Sequence, residues 1–343
     1  PTPSEPSGGL VIDPSNSNMV YVAAYGPQRS VGGDRGIFKS IDGGKTWKNV
    51  LFVSEHTGCF QVHMDPRFSN ILYAVAHQRM RKHYSGVSGG PESGIYRSTD
   101  NGENWEKLTR GLPSEDVGRI GMDVSPVNPD ILYAIIESTK ENKGFYKSDD
   151  RGASWIKQNS YISSYPFYFQ KIIADPVDVD RVYSMDVFMQ VTDDAGKTWK
   201  NVGSKSKHVD DHCLWINSTN NKHVIAGCDG GVYDSYDQGK NWNFQANIPI
   251  TEIYKVSVDN SKPFYNVFIG TQDNNSLTGP SRTINTSGIT NQDWLFTNSG
   301  DGFDSQVDWQ DPNIIYAQTQ NGGLVRFDKR SGENLFIKPY DFA

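Results

Sequence analysis

The segment SIDGGKTW, Ser40 to Trp47, recurs along the chain and decides its fold. The pattern Ser-x-Asp-x-Gly-x-x-Trp returns as STDNGENW (98–105), SDDRGASW (148–155) and SYDQGKNW (235–242), and with Thr first as TDDAGKTW (192–199). Ser and Asp side chains bond to nearby backbone in tight turns, glycine permits unusual dihedral angles, and Trp fills space between sheets. The motif therefore indicates a repeated hairpin, and it says more about fold than about chemistry.

A second repeat consists of an apolar run, an Asp-Pro-like turn and a second apolar run. It recurs at intervals of about 40 to 60 residues, a period typical of folds built from repeated supersecondary units. The turn residues are Asp13, Asp65, Ser125, Asp175, Asn217, Asp259 and Asp308. The residues eight positions further on are Tyr21, Tyr73, Tyr133, Tyr183, Ile225, Val267 and Tyr316.

Together the two repeats predict an all-β fold. Short apolar runs bounded by Gly, Pro, Asn and Asp are typical of antiparallel strands, and each unit contains four of them. A lone four-stranded sheet cannot bury both faces, so the units must stack. The sequence predicts one β-propeller domain over residues 1–343, with blades beginning near residues 8, 57, 117, 167, 208, 250 and 299. The alternative is seven blades of a larger ring, with this chain a fragment of a longer protein.

Composition narrows the classes of partner. The 343 residues include 33 Gly and 17 Pro, carry a formal net charge of -7, and mix acids with bases. A nucleic-acid partner would require a basic patch, so this charge pattern argues against one. No apolar run approaches the ~20 residues that span a bilayer. Cys59, Cys213 and Cys228 lack metal-site spacing, although Cys213 and Cys228 fall on strands predicted to be adjacent and are candidates for one disulfide.

Five segments carry a family resemblance: residues 88–105, 117–136, 208–216, 227–242 and 270–282. They resemble the Asp-box (bacterial neuraminidase repeat) propellers, above all the secreted bacterial proteins described as sortilin-like or glycosyl-hydrolase-like. We call the Ser-x-Asp-x-Gly-x-x-Trp segments Asp boxes accordingly. The resemblance implies a secreted, periplasmic or cell-surface protein, with further domains in the parent chain. Sialidases of this kind carry an Arg-Ile-Pro segment, and its absence here argues against that activity.

Propeller geometry places the Asp boxes on one face and the more varied loops on the other, which is the expected binding face. Counting back from the turns puts three candidate catalytic acids at the channel mouth: Asp210, Glu252 and Asp301. The predicted ligand-binding residues around them are His212, Asp229, Gln272, Asp273, Tyr168, Gln170, Tyr254 and Asn321. Two loops on this face are predicted to be solvated surface loops, residues 24–36 and the basic segment 76–90. As an alternative, the basic segment forms a lip opposite the carboxylates that would suit a charged sugar or a peptide terminus.

Several interpretations of this mouth stay open. Its oxygen-rich residues suit calcium, although no resident cofactor is predicted. Aromatic and polar side chains suit a glycan or a peptide, and paired carboxylates suit glycoside hydrolysis. The same groups can also serve only to satisfy strand ends and channel waters. In HVDDH, His208, Asp210 and His212 are expected on one side of a strand as candidate metal ligands, although alternate side chains lie ~6.5 Å apart.

The sequence thus predicts a sortilin-like module that recognises a peptide or a glycan. The alternative is a glycoside hydrolase similar to family 74, whose catalytic aspartates come from two propellers across a shared cleft. Asp210, Glu252 and Asp301 would supply the carboxylates in that case.

Overall fold

The computed structural model describes residues 9–203, 205–248 and 250–339, so the predicted first-blade start near residue 8 lies outside the described residues. Contacts divide the chain into two compact units, unit 1 (Pro1–Phe244) and unit 2 (Gln245–Ala343). The described residues contain no α-helix and only two 3₁₀ turns, Asn291–Asp293 and Gln320–Gly322. None of their helices has the length and apolarity needed to span a bilayer.

Unit 1 contains five antiparallel sheets. The first two are formed by β1 (Gly9–Asp13), β2 (Asn16–Ala24), β3 (Gly36–Ser40) and β4 (Lys48–Leu51), then by β5 (Thr57–Met64), β6 (Leu72–Arg81), β7 (Gly86–Ser88), β8 (Gly94–Ser98) and β9 (Glu106–Lys107). The third is formed by β10 (Ile120–Val124), β11 (Leu132–Ile136), β12 (Gly144–Ser148) and β13 (Ile156–Asn159). The last two are formed by β14 (Ile172–Ala174), β15 (Val182–Ser184), β16 (Gln190–Thr192) and β17 (Lys200–Asn201), then by β18 (Asp211–Ile216), β19 (Val224–Cys228), β20 (Gly231–Ser235) and β21 (Asn243–Phe244).

Unit 2 contains the remaining two sheets. They are formed by β22 (Ile253–Val258), β23 (Asn266–Thr271), β24 (Ser276–Pro280) and β25 (Leu295–Asn298), then by β26 (Ser305–Val307), β27 (Ile314–Thr319), β28 (Gly323–Asp328) and β29 (Glu333–Phe336). Both lack an Asp box, as the sequence indicated.

All seven sheets share one topology, in which four main strands pair in the order of the chain. The prediction of seven four-stranded propeller blades is therefore confirmed, with one addition. In the second blade β6 runs on past the sheet and pairs with the short strand β7, so part of the predicted loop 76–90 is a hairpin.

The Asp boxes are closed by side chains that bond to their own backbone. In the first box Ser40 Oγ donates to Asp42 Oδ1 at 2.8 Å, and the amides of Gly44 and Thr46 donate to Ser40 Oγ and Asp42 Oδ1 at 2.8 and 2.9 Å. The same three contacts recur in the boxes that begin at Ser98, Ser148, Thr192 and Ser235. Because these polar atoms are used inside the turn, the boxes serve the fold.

The blades of each unit pack through strands buried on both faces. In β6, Leu72, Ala74 and Ala76 pack toward the first blade, whereas Tyr73 and Val75 pack toward the third. This division follows from the alternation of side chains along a strand. Similar apolar clusters join each successive pair of blades in unit 1, and Phe268, Val307 and Ile315 join the two blades of unit 2.

The tyrosines of the turn repeat in the first two blades bond to the blade that follows. Tyr21 and Tyr73 are fully buried, and their hydroxyls donate to the backbone carbonyls of Asn101 and Arg151 at 2.9 and 3.2 Å. Both acceptors belong to the Asp box of the following blade. The two sequence repeats therefore interlock, which holds the loops at the other end of the blades in place.

Candidate functional site

In unit 1, His212 lies among aromatic and acidic side chains from the fourth and fifth blades. Its ring stacks on Phe169 with centroids 5.3 Å apart and meets the edge of Tyr168 at 5.2 Å. Its Nε2 lies 2.7 Å from Oδ1 of Asp229, which follows β19. We call these four residues the His212 cluster. Three of them, Tyr168, His212 and Asp229, are residues that the sequence predicted to bind a ligand. The fourth, Phe169, was not singled out by the sequence.

An exposed aromatic surface continues from this cluster through residues 165–169, here called the aromatic turn. Tyr165, Phe167 and Tyr168 are 54%, 47% and 49% exposed, with successive ring centroids 6.2 and 6.4 Å apart. The amides of Tyr168 and Phe169 both donate to the carbonyl of Tyr165, at 2.9 and 3.0 Å. This tight turn holds large apolar rings in water, where they are available to an incoming ligand.

Two contacts hold the aromatic turn on the blades. Arg119, next to the start of β10, donates from Nη1 to the carbonyl of Phe167 at 2.7 Å. The amide of Ser164 donates to Oδ1 of the buried Asp186 at 2.9 Å. The density of aromatic residues in YPFYF, residues 165–169, was the signal available in the sequence. The two anchors could not be found there because they depend on tertiary contacts.

Asp210 borders the His212 cluster. The amide of Asp229 donates to its carbonyl at 3.2 Å, and its own amide donates to the carbonyl of Val187 at 2.9 Å. Burial, followed by the nearby charge of Asp229, raises the pKa of the Asp210 carboxyl. A raised pKa favours the protonated form of the carboxyl, which is the form that a general acid requires.

The predicted strand arrangement of HVDDH is wrong. Strand β18 begins only at Asp211, and Asp210 has φ 64°, so the alternation of side chains does not extend back to His208. The Nδ1 of His208 lies 3.0 Å from the carbonyl of Val209. Across the described residues no group of three or more His, Cys, Asp or Glu side chains is arranged to hold a metal ion. The zinc and iron alternatives therefore have no cluster of such side chains in the described residues.

The start of β18 is held by a buried ion pair. Lys207 Nζ lies 2.5 Å from Oδ1 of Asp211, and the two side chains are 2% and 1% exposed. The other oxygen of Asp211 accepts from the amide of Met189 at 3.1 Å. Burial raises the pKa of the Asp211 carboxyl, and the Lys207 ammonium opposes that rise. The pair fixes the backbone that enters His212.

Gln170 does not have the predicted ligand-binding position. Its side chain is fully buried, its Oε1 accepts from the amide of Ser163 at 3.2 Å, and its Nε2 donates to the carbonyl of Arg119 at 3.4 Å. The residue joins the aromatic turn to the blade before it. Its distance from the Asp-Pro turn correctly predicted that Gln170 lies near the aromatic turn. Its backbone has φ 42°, and its side chain is buried instead of facing a ligand.

Cys213 and Cys228 are both free, so the proposed disulfide is not formed. They do lie on paired strands, but Cys213 is opposite Gly227. Since adjacent residues in a strand point to opposite faces, Cys228 faces away from Cys213.

Unit 2 brings together four other predicted site residues. The amide of Asp273 donates to Oδ1 of Asp301 at 2.7 Å, and the amide of Gln272 donates to the carbonyl of Glu252 at 3.0 Å. Asp301 therefore fastens the β23–β24 turn, a role in the fold that its sequence position did not indicate. The carboxylate of Glu252 belongs to an exposed residue.

The last two predicted residues lie elsewhere in unit 2. Tyr254 packs against Phe303 with ring centroids 5.4 Å apart and is 37% exposed. Asn321 is exposed in a 3₁₀ turn, and its carbonyl accepts from Lys338 Nζ at 2.7 Å. Because Asp210 belongs to unit 1 and Glu252 and Asp301 to unit 2, their joint action as a catalytic set stays a prediction.

Comparison with known proteins gives partial matches. The family model described as sortilin, neurotensin receptor 3 (Sortilin-Vps10) matches residues 35–186. A xyloglucanase of Acetivibrio thermocellus is 26% identical over 304 residues, covering 77% of this chain and 34% of its own length. An oligoxyloglucan-reducing end-specific xyloglucanase of Emericella nidulans is 24% identical over 182 residues, covering 46% of this chain and 22% of its own length.

Solved structures match the fold. A GH74 enzyme of Niastella koreensis has a TM-score of 0.64 at 14% identity, covering 98% of this chain and 51% of that one. A GH74 xyloglucanase of Xanthomonas campestris has a TM-score of 0.52 at 16% identity, covering 96% and 54%. The chain thus spans 34% of the first relative and about half of each solved chain. In fold and in part of its sequence it is similar to the sortilin and glycosyl hydrolase propeller proteins.

Proposed function

We propose that this chain is an Asp-box propeller of sortilin-like type that binds a glycan on unit 1, at the His212 cluster and the aromatic turn. The observation that carries the proposal is the continuity of three exposed aromatic rings with the polar pair His212–Asp229. Sugars present flat C–H faces that stack on such rings and hydroxyl groups that donate to carboxylates.

The cellular location of the protein and the length of its parent chain are also part of the proposal. A secreted, periplasmic or surface location suits a glycan ligand, and the partial coverage of longer xyloglucanases supports further domains in the parent chain. Those relatives act on xyloglucan by name, which favours a polysaccharide as the ligand class.

Binding should be tested with the full chain against a panel of soluble polysaccharides, neutral and uronate-containing, by affinity electrophoresis and calorimetry. We expect binding to at least one glycan and a loss of about tenfold or more in Tyr168→Ala, since one aromatic contact contributes about 1.4 kcal/mol or more. The matched control is Tyr236→Ala, because Tyr236 is 62% exposed and stacks on His223 at 4.6 Å. Absence of glycan binding, or equal losses in both variants, would contradict the proposal.

Hydrolysis is the second candidate, favoured by the raised pKa of the Asp210 carboxyl and by the xyloglucanase relatives. In this case Asp210 would act as the general acid toward a glycosidic oxygen. The test is release of reducing ends from the same panel by the wild type and by Asp210→Asn. Activity that Asp210→Asn abolishes while glycan binding persists would establish hydrolysis. If the wild type binds a glycan but releases no reducing ends, hydrolysis is excluded and glycan recognition is the function that remains.

A further inference from the structure

A second cluster of unit 1 combines basic and aromatic side chains from its second and third blades with Tyr25 of the first. The hydroxyl of Tyr25 lies 2.7 Å from Nδ1 of His77 and 3.5 Å from Nη1 of Arg79. The guanidinium of Arg119 lies over the ring of Phe60, 3.8 Å from its centroid. We call these five residues the Arg119 cluster. Neither the aromatic turn nor the His212 cluster uses its donors, apart from the one bond from Arg119 to Phe167.

Two buried nitrogens of the Arg119 cluster lack a hydrogen-bond partner among the described residues. Arg119 is 8% exposed and His77 is 1% exposed. Among the described residues, no acceptor lies within hydrogen-bond distance of Nε of Arg119 or Nε2 of His77. Buried polar groups are normally hydrogen-bonded, because leaving one unpaired costs about 1–3 kcal/mol. The Nε–H of Arg119 is always a donor, so it points to an external acceptor.

The arginines of the cluster, Arg79 and Arg119, also have no salt bridge among the described residues. Glu137 is the nearby acid, but its Oε2 accepts from the backbone amide of Arg119 at 2.9 Å. Burial and the charge of Arg79 lower the pKa of Arg119 to about 10. A buried cation without a carboxylate partner is costly, and a bound anion would relieve that cost.

The cluster adjoins the proposed glycan surface, since Arg119 bonds directly to Phe167 in the aromatic turn. We propose that Arg79 and Arg119 bind the carboxylate of an acidic sugar, a uronic acid residue of the glycan. A guanidinium presents a fork of donors that matches a carboxylate, and such charged hydrogen bonds are stronger than neutral ones. This inference rests on the proposed function and specifies its ligand as an anionic glycan.

The direct test follows the Nε–H resonance of Arg119 by NMR in the full chain, assigned through its loss in Arg119→Lys. Sodium D-glucuronate should shift this resonance saturably with a Kd of roughly 1–10 mM, a reasonable value for one small charged ligand. D-glucose and sodium chloride at equal ionic strength should leave it unchanged. In Arg79→Gln, whose folding is checked by thermal unfolding, glucuronate affinity should fall about fivefold or more.

Three results would overturn the carboxylate subsite. They are no saturable shift with glucuronate, an equal shift with chloride, and an unchanged affinity in Arg79→Gln. A response to N-acetylglycine but not to glucuronate would also overturn it, in favour of a peptide carboxylate. Failure of the glycan proposal is separate, because it is read from polysaccharide binding and its loss in Tyr168→Ala across the whole panel. Tyr168→Ala should leave the glucuronate shift of Arg119 in place.

Discussion

The Nε2 of His212 lies 2.7 Å from Oδ1 of Asp229, in a pair supplied by β18 and the residue that follows β19. The carboxylate orients the imidazole, and the stacked ring of Phe169 restricts it further. His212 is still 37% exposed at its side chain, so the oriented ring remains open to a ligand. Position and exposure together make this pair the polar centre of the proposed glycan surface.

Replacing Asp229 should therefore weaken binding more than it weakens the fold. We expect Asp229→Asn to raise the Kd for the best glycan of the panel about tenfold, since it removes one charge-assisted hydrogen bond of about 1.5 kcal/mol. Calorimetry measures the effect. Asp149→Asn is the control, because this substitution removes the same charge elsewhere, from a side chain that is 64% exposed. Equal Kd values for the two variants would remove Asp229 from the site.

The tyrosine that links the first two blades should contribute measurably to stability. Tyr21→Phe deletes the hydroxyl that donates to Asn101 at 2.9 Å and leaves the buried ring in place. We expect a loss of about 1 kcal/mol in the free energy of unfolding, measured by chemical denaturation. Tyr84→Phe, at a residue 84% exposed, should change it by less than about 0.5 kcal/mol. A neutral Tyr21→Phe would mean that the bond between blades contributes little.

The Lys207–Asp211 pair should respond asymmetrically to substitution. Lys207→Met leaves the 1% exposed carboxylate of Asp211 without its ammonium, and we expect a cost of about 3 kcal/mol or more. Adding Asp211→Asn removes that charge and keeps an oxygen for the amide of Met189. The double variant should recover at least half of the loss in chemical denaturation. Equal stability of the single and double variants would show that the buried charge is not the cause.

The Asp boxes should make the protein sensitive to strong acid. Hydrogen bonds from Thr46 and Asn104 lower the pKa of Asp42 and Asp100 from 3.8 to about 2. Because the folded pKa lies below the unfolded value, this contribution is fully present above about pH 4 and is lost as the pH falls toward 2. The denaturation midpoint should drop across that window. Asp42→Asn should flatten the drop, and an unchanged pH profile would exclude this box as a source.

The repeat content of the fold was predictable because it depends on local chemistry. The Asp boxes and Asp-Pro turns close on their own backbone, as Ser40 and Asp42 show, so neighbours in sequence are enough to identify them. The candidate disulfide and the predicted strand at His208 were wrong for the opposite reason. Cys213 lies opposite Gly227 rather than Cys228, and β18 begins only at Asp211. Neither fact follows from a local sequence pattern.

By itself the sequence determined the number of blades, the order of their strands and the residues that close each turn, since these follow from periodicity and short-range hydrogen bonds. Only the tertiary structure decided which side chains meet. It brought His212 to Asp229, turned Gln170 inward and placed Arg119 between Phe60 and Phe167. Arg119 and Gln170 make contacts to residues of other blades, and the geometry of those contacts depends on how whole sheets pack.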